Sequence, residues 1–378
     1  MSSLDVPNVL VLWADSSAEN LGLQALAAGV QSVAERSWGR CSVTFHSHNT
    51  AGTPLRRVRV LQDLGRRSGP VVEYLRQFDV VMDTGGGDSF TDIYGVQRLL
   101  LMAYIQHACR KAGVPLVMTP QTIGPFRTRA GRMVARSLLS KVDVLYTRDP
   151  VSSQVATEMG RTPNLLATDM AFALPRPSRA QERDVVLNVS GLLWQSNPHV
   201  DFAEYRANVG GLITGLLAAD RRVTLLAHVL DSPVPDNDVP AVHAAAAAAG
   251  AAGGDVEIVI PKDLREVREV LSGCRVLVGS RMHSAINALS VGVPAISWSY
   301  SRKFGPLMDA LGWQYTIDLT AGGDPVSETL KLINTDSFDV LKAEAPGVAT
   351  SAEGRIDSIV AALKSEKLFS LSHTGPAI

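Results

Sequence analysis

Short β-branched runs alternate with stretches of helical period along the whole chain, and this alternation constrains the fold more than any other feature. Val9 to Trp13, Cys41 to Phe45, Phe78 to Asp83, Pro115 to Thr119 and Val142 to Tyr146 read as buried strands. Gly22 to Glu35, Leu99 to Ala112 and the residues from Ser152 onward read as helices between them. After Pro163 to Thr168, the proline- and charge-rich stretch Leu174 to Arg183 has the composition of a linker. The pattern then restarts. Strands are expected at Asp184 to Val189, Arg222 to Ala227, Val256 to Ile260, Arg275 to Gly279, Val293 to Trp298 and Tyr315 to Leu319. Helices are expected through Val209 to Ala219, Ala244 to Ala249, Leu264 to Ser272, Ala285 to Ser290 and Phe304 to Leu311. Strands joined through helices run parallel, so the chain should form two doubly wound, Rossmann-like α/β domains facing across a cleft. The expected boundaries are 1–175 and 184–345, with a terminal helix from Ser351 to Leu363 and a loose tail within 346–378.

A chain of 378 residues exceeds one ordinary core, which agrees with two domains. Thirty-six basic against thirty-seven acidic residues leave a net charge of -1, which argues against nucleic-acid binding driven by overall positive charge. Cys41, Cys109 and Cys274 are too far apart in sequence for a CxxC pair and fit a reducing compartment. No Lys or Arg precedes Arg36, and no run reaches the ~18 unbroken apolar residues of a membrane span. The expectation is a cytoplasmic chain, with peripheral contact at the inner face of a membrane left open. Arg56, Arg57, Arg59, Arg66 and Arg67 form a basic stretch that suits a solvated face better than a patch for an acidic partner. The sequence leaves the oligomeric state undecided.

Candidate chemistry gathers at the carboxyl ends of the expected strands, where open α/β sheets bind ligands. The run Gly279-Ser280-Arg281-Met282-His283 turns a strand into a helix, with Ser280 at the expected N-cap. A helix start offers unpaired N–H groups and partial positive charge, and Arg281 and His283 add two cationic donors, so an anion is the expected guest. Gly85, Gly86 and Gly87 let the main chain approach a ligand or simply make a tight turn, and Asp88 follows as a candidate acid, base or hydroxyl acceptor. Arg148 stands at another strand end, with Asp149 beside it as an alternative ion-pair partner. His46 and His48 share a strand face without a third ligand nearby, so no metal site is expected.

Taken in order, several short motifs resemble the polysaccharide pyruvyl transferases. They are Asn20-Leu21-Gly22 with Gln24-Ala25-Leu26, Gly85-Gly86-Gly87-Asp88, Ile123-Gly124-Pro125, Arg148-Asp149-Pro150 with Ser152, Thr168-Asp169-Met170-Ala171-Phe172 and the His228 strand end. Arg281-Met282-His283, Gly292-Val293-Pro294 and Tyr300-Ser301-Arg302-Lys303 complete the set, and the resemblance covers roughly residues 8 to 312.

The resemblance implies a GT-B-like fold and transfer of pyruvate from phosphoenolpyruvate onto a sugar of a cell-surface polysaccharide, or its precursor, as a cyclic ketal. The first domain would then take the acceptor and the second the donor. The family's Arg-x-His element carries over to Arg281, the Met282 backbone and His283 as donor binders. His283 and Arg281 are the expected catalytic pair, with Asp88 taking the hydroxyl proton. Ser280, Arg148, His228, Gly85, Gly86, Gly87, Asn20, Tyr300 and Lys303 are expected to bind substrate, and no metal or cofactor is expected beyond the donor itself. The chain departs from many members at Leu23, where an acidic residue is common, and in Asn188-Val189-Ser190-Gly191-Leu192, which lacks an arginine. The second departure leaves Arg148 as the second arginine for the donor. A nucleotide-sugar glycosyltransferase and a catalytically silent carbohydrate or anion binder are the alternatives that the same architecture would serve.

Overall fold

The computed structural model describes residues 6–47, 55, 57–63, 66, 68–88, 90–178, 181–230, 236–366 and 368. Two compact units divide the chain. The first comprises residues 1–16, 26–173 and 354–378, and the second comprises 17–25 and 174–353. His48, Arg56 and Arg67 lie outside the described residues, as does the tail from 369.

The first unit is built on β1 (Asn8–Leu12), α1 (Leu21–Trp38), β2 (Ser42–His46), α2 (Arg57–Asp63), α3 (Pro70–Leu75), β3 (Val80–Asp83) and α4 (Val96–Ala112). It continues through β4 (Leu116–Met118), α5 (Arg129–Leu139), β5 (Val144–Thr147), α6 (Pro150–Glu158) and β6 (Leu165–Leu166). The six strands are parallel in the order β2-β1-β3-β4-β5-β6. Val9 to Leu12 and Val80 to Met82 are almost wholly buried, as expected of strands covered by helices on both faces. Local chemistry sets the helix starts. Asp149 accepts from the Ser152 amide at 2.7 Å while Pro150 opens α6, and the Thr128 hydroxyl accepts from the Gly131 amide at 2.9 Å to open α5.

The second unit follows as β7 (Arg183–Asn188), α7 (Gly191–Trp194), α8 (Phe202–Ala218), β8 (Val223–Leu226), α9 (Asp238–Ala251), β9 (Glu257–Val259) and α10 (Leu264–Gly273). Then come β10 (Cys274–Gly279), α11 (Met282–Ser290), β11 (Ala295–Ser299), α12 (Phe304–Leu311), β12 (Thr316–Asp318), α13 (Pro325–Asn334) and α14 (Ser337–Ser365). Its parallel sheet runs β12-β11-β10-β7-β8-β9. Both orders reverse direction once, between β1 and β3 in the first sheet and between β7 and β10 in the second. Such reversals leave a crevice at the strand carboxyl ends.

Two stretches depart from a division taken in chain order. Residues 17–25 belong with the second unit, although α1 continues into the first. Asn20 forms an antiparallel bridge with Val229, the Leu21 amide donates to the His228 carbonyl at 3.2 Å, and the Leu264 amide donates to Gln24 Oε1 at 3.1 Å. The terminal helix is also longer than the sequence predicts. It spans Ser337–Ser365 with Pro346 inside it, and from Gly354 onward it belongs to the first unit.

Candidate active site

In the second unit the sheet reversal brings the ends of β7 and β10 side by side, and the expected donor motif follows β10. Asn188, the last residue of β7, is fully buried; its Oδ1 accepts from the Arg281 amide at 3.0 Å and its Nδ2 donates to the Leu226 carbonyl at 3.0 Å. One side chain thus ties three strand ends together. The N-cap of α11 is Arg281, in extended conformation with φ -100° and ψ 127°, and not Ser280 as its sequence position suggested. The Ser280 hydroxyl instead accepts from Tyr205 at 2.9 Å, and Tyr205 accepts from the Ser190 amide at 2.9 Å. Burial pushes the Tyr205 phenol up, so it stays a neutral donor. Met282, also buried, begins the helix.

Arg281 is 8% exposed and its guanidinium meets carboxylates on two sides. Asp238 Oδ1 accepts from its Nε at 3.2 Å and its Nη2 at 2.6 Å. Asp236 Oδ1 accepts from Nη1 at 2.5 Å, and the Asp236 carbonyl accepts from Nη2 at 2.6 Å. Burial opposes the charge, but the carboxylates of Asp238 and Asp236 outweigh it and hold the guanidinium firmly protonated. The two carboxylates differ in kind. Asp238 is fully buried and also accepts from the amides of Gly191 at 2.7 Å, His228 at 3.0 Å and Val229 at 3.0 Å, so it joins the ends of β7 and β8 to Arg281. Asp236 has a side chain 32% exposed and holds Arg281 from the solvent side.

His228 stands just beyond β8, 1% exposed, beside His283 and Arg281. Burial, reinforced by these two neighbours, pushes its imidazole down to about 3. Its Nε2 lies 3.2 Å from Asn287 Nδ2. His283 is on the first turn of α11 and packs against Gly22, where a Cβ would come within 2.7 Å of His283 Nδ1. Asn20 Oδ1 accepts from the Gly22 amide at 2.9 Å and so shapes the start of α1 beside that ring. The Asn-x-Gly motif therefore serves the histidine of a motif more than 250 residues further along the chain. Tyr300, 8% exposed, meets His199 in a tilted ring contact with centroids 5.2 Å apart, and the charge of Lys303 reaches the same histidine and helps burial push it down.

The first unit groups its candidates separately. Gly85, Gly86 and Gly87 have φ of 55°, 61° and 81°, a run that only glycines make without strain. Their amides donate to Asp83 Oδ1 at 2.8 Å, Thr84 Oγ1 at 3.1 Å and the Thr84 carbonyl at 2.9 Å, so the triplet is a tight turn whose N–H groups are already bonded and make no anion cradle. Asp83 is fully buried, and burial pushes its carboxyl up against the hydrogen bonds from Gln106, Gly85 and Trp13. Asp88 is half-buried and accepts from the Tyr94 hydroxyl at 3.2 Å. Arg148 is 1% exposed; Nη1 meets Asp169 at 3.3 Å, Nη2 donates to Thr122, and Asp149 stands 3.9 Å from Nε. Its guanidinium is therefore enclosed within the first unit, whereas the sequence reading turned it toward the donor. His46 Nε2 lies 2.6 Å from the Tyr74 hydroxyl. Among the described residues, no three His, Cys, Asp or Glu side chains group to hold a metal ion, and no helix is long and apolar enough to cross a membrane.

Residues 20–302 match the family model described as polysaccharide pyruvyl transferase. The chain belongs to that family. A curated relative, the amylovoran biosynthesis protein AmsJ of Erwinia amylovora, is 26% identical over 258 residues, which cover 63% of this chain and 60% of the relative's length. Among solved structures, Anabaena Alr3699/HepE in complex with UDP and glucose is similar with a TM-score of 0.53 at 14% identity, over 97% of this chain and 99% of that one. The UDP-GlcNAc 2-epimerase of Neisseria meningitidis bound to UDP-GlcNAc is similar with a TM-score of 0.57 at 10% identity, over 94% and 100%. These likenesses show the fold, the GT-B-type pairing of two Rossmann-like units. The sequence reading gave no site role to Asp236, Asp238, Asn188 or Asn287. Asn287 follows His283 by four positions, one helical turn, and Asn237-Asp238 before an alanine-rich helix is a capping signal; both were legible.

Proposed function

We propose that this chain transfers the enolpyruvyl carbons of phosphoenolpyruvate onto two hydroxyls of a polysaccharide sugar, or of its precursor, closing a cyclic ketal and releasing phosphate. The observation that carries the reading is the family's Arg-x-His element on the first turn of α11, at the sheet reversal of the second unit, with a second histidine beside it. An anionic three-carbon donor suits that place. The helix start contributes partial positive charge, and Arg281 offers a planar fork once Asp236 yields its side of the guanidinium.

In the first step a proton from His283 goes to the methylene carbon of the donor while a sugar oxygen bonds to the adjacent carbon. In the second, a neighbouring hydroxyl bonds to that carbon as the C–O bond to phosphate breaks. Each hydroxyl releases its proton, so one proton restores His283 and the other leaves with phosphate or solvent.

Phosphate release from phosphoenolpyruvate, followed with free and lipid-linked glycans, tests the reaction. The expected result is glycan-dependent release that His283→Ala lowers by at least ~100-fold with the fold intact, the scale of a lost general acid. Near-normal turnover in that variant would exclude His283. In parallel, phosphoenolpyruvate should raise the melting temperature, because a ligand bound only by the folded chain stabilises it. A rise with uridine sugar nucleotides and none with phosphoenolpyruvate would favour a glycosyltransferase instead.

A further inference from the structure

A buried arginine of the second unit fixes the hydrogen-bonding partner of His228 through an intervening amide. Arg268 on α10 is 4% exposed and its hydrogen-bond partners are neutral oxygens. Nη1 donates to Asn287 Oδ1 at 3.1 Å and Ser290 Oγ at 2.7 Å, and Nη2 donates to the Pro175 carbonyl at 3.2 Å. Burial pushes the guanidinium down to about 10, so it stays charged at neutral pH. A buried cation held only by neutral acceptors is a costly arrangement for a core, and it has one local effect. Arginine has donors and no acceptor, so the Asn287 atom facing it must be the oxygen. The Asn287 amide nitrogen is then the atom 3.2 Å from His228 Nε2, and since that nitrogen only donates, Nε2 must hold a lone pair. In the neutral ring the His228 proton therefore sits on Nδ1.

We propose that Arg268 and Asn287 are positioning residues that hold His228 as the neutral Nδ1–H tautomer, so that His283 works beside an uncharged ring and alone carries the transferable proton. The proposal rests on the pyruvyl-transfer reading for its kinetic consequence and on hydrogen-bond chemistry alone for the tautomer. The charged and titratable groups around His228 are His283 and Arg281 at the start of α11, Asp238 at the start of α9, and Arg268 through Asn287. His283 and Asn287 lie four residues apart on α11, so one helix face presents the acid and the group that silences its neighbour.

Histidine side-chain 15N NMR of the full chain reads the tautomer directly. The expected wild-type pattern is Nδ1 protonated and Nε2 unprotonated in His228, unchanged across roughly pH 5 to 8. A wild-type His228 that titrates in this range, or carries its proton on Nε2, overturns the proposal whatever the activity. Asn287→Asp retains an oxygen for Arg268 and turns a second acceptor toward Nε2, which draws a proton onto that nitrogen. His283 then works beside an ion pair in place of an uncharged ring. The expected result is kcat lower by about tenfold or more, KM for phosphoenolpyruvate within about twofold, and an altered pH profile. Arg268→Met removes the donor that orients Asn287 and should give mixed His228 tautomers in a chain whose melting is checked alongside. A switched tautomer with wild-type kcat and pH profile would show that His228 has no bearing on the proton step. If the wild type released no phosphate with any glycan, the failure would fall on the proposed reaction, and the substrate-free NMR result would still decide the tautomer.

Discussion

Under the proposed reaction, Asp236 is the residue that would control donor access. It is the exposed member of the carboxylate pair on Arg281, and its oxygen fills a place that a donor carboxylate or phosphate would take. Asp236→Asn should therefore lower the donor KM, by about three- to tenfold, because a neutral amide competes less for the fork; steady-state kinetics check it. Asp238→Asn should do the opposite, since Asp238 also receives three backbone amides. His228 makes a second prediction, on stability. Its folded form resists protonation until about pH 3, while the unfolded chain takes the proton near the ordinary 6.5. Below that value the unfolded state binds more protons, so stability is complete above pH 6.5 and falls as pH drops from 6.5 toward 3, by up to ~1.4 kcal/mol per pH unit. Urea melts of the wild type and His228→Gln through this window should differ in slope, and equal slopes would refute the assignment. At this scale the sequence disclosed the family's Arg-x-His motif but not its bonding state. Arg281 and Arg148 both stand at strand ends, yet only folding brings Asp236 and Asp238 onto the one and encloses the other with Asp169 and Thr122.

Elements meet at glycines whose reasons lie elsewhere in the chain. Gly22→Ala should tilt the His283 ring or displace the start of α1, because the added methyl has 2.7 Å to the imidazole. The expected cost is ~1–3 kcal/mol in stability and at least ~10-fold in kcat, read by melting and by phosphate release. A wild-type rate would mean that His283 sits free of α1. Gly85→Ala is expected to be worse for the fold. Its φ of 55° suits glycine, and its Cβ would overlap Gln121 Oε1 at 1.5 Å, so a loss above ~2 kcal/mol in a chemical melt is the expectation. The strands and most of the helices were legible because period and β-branching are local. Helix ends were less so: the cap of α11 moved from Ser280 to Arg281 because Tyr205, on α8, takes up the serine hydroxyl.

Over the whole molecule, two crossings bind sequence order to tertiary order. Residues 17–25 complete the second unit from the beginning of the chain, and the end of α14 completes the first. Ile356, Ile359, Val360 and Leu363 are buried there, and Asp357 pairs with Arg36 on α1. Ending the chain after Glu353 would expose the faces these four side chains cover, at ~1.5–3 kcal/mol for each, so hydrogen exchange in β1 and β3 should rise well before exchange in β7 and β10. Equal protection in both sheets would contradict the division. The sequence alone determined the alternation of strand and helix, the two doubly wound units and the family motif, because each is written in neighbouring residues and their periodicity. Tertiary structure alone decided which charges stay open. Asp236 and Asp238 on Arg281, Asn287 on His228 and Gly22 under His283 come from separate stretches of chain, and a hydrogen bond depends on distance in space, which no local pattern encodes.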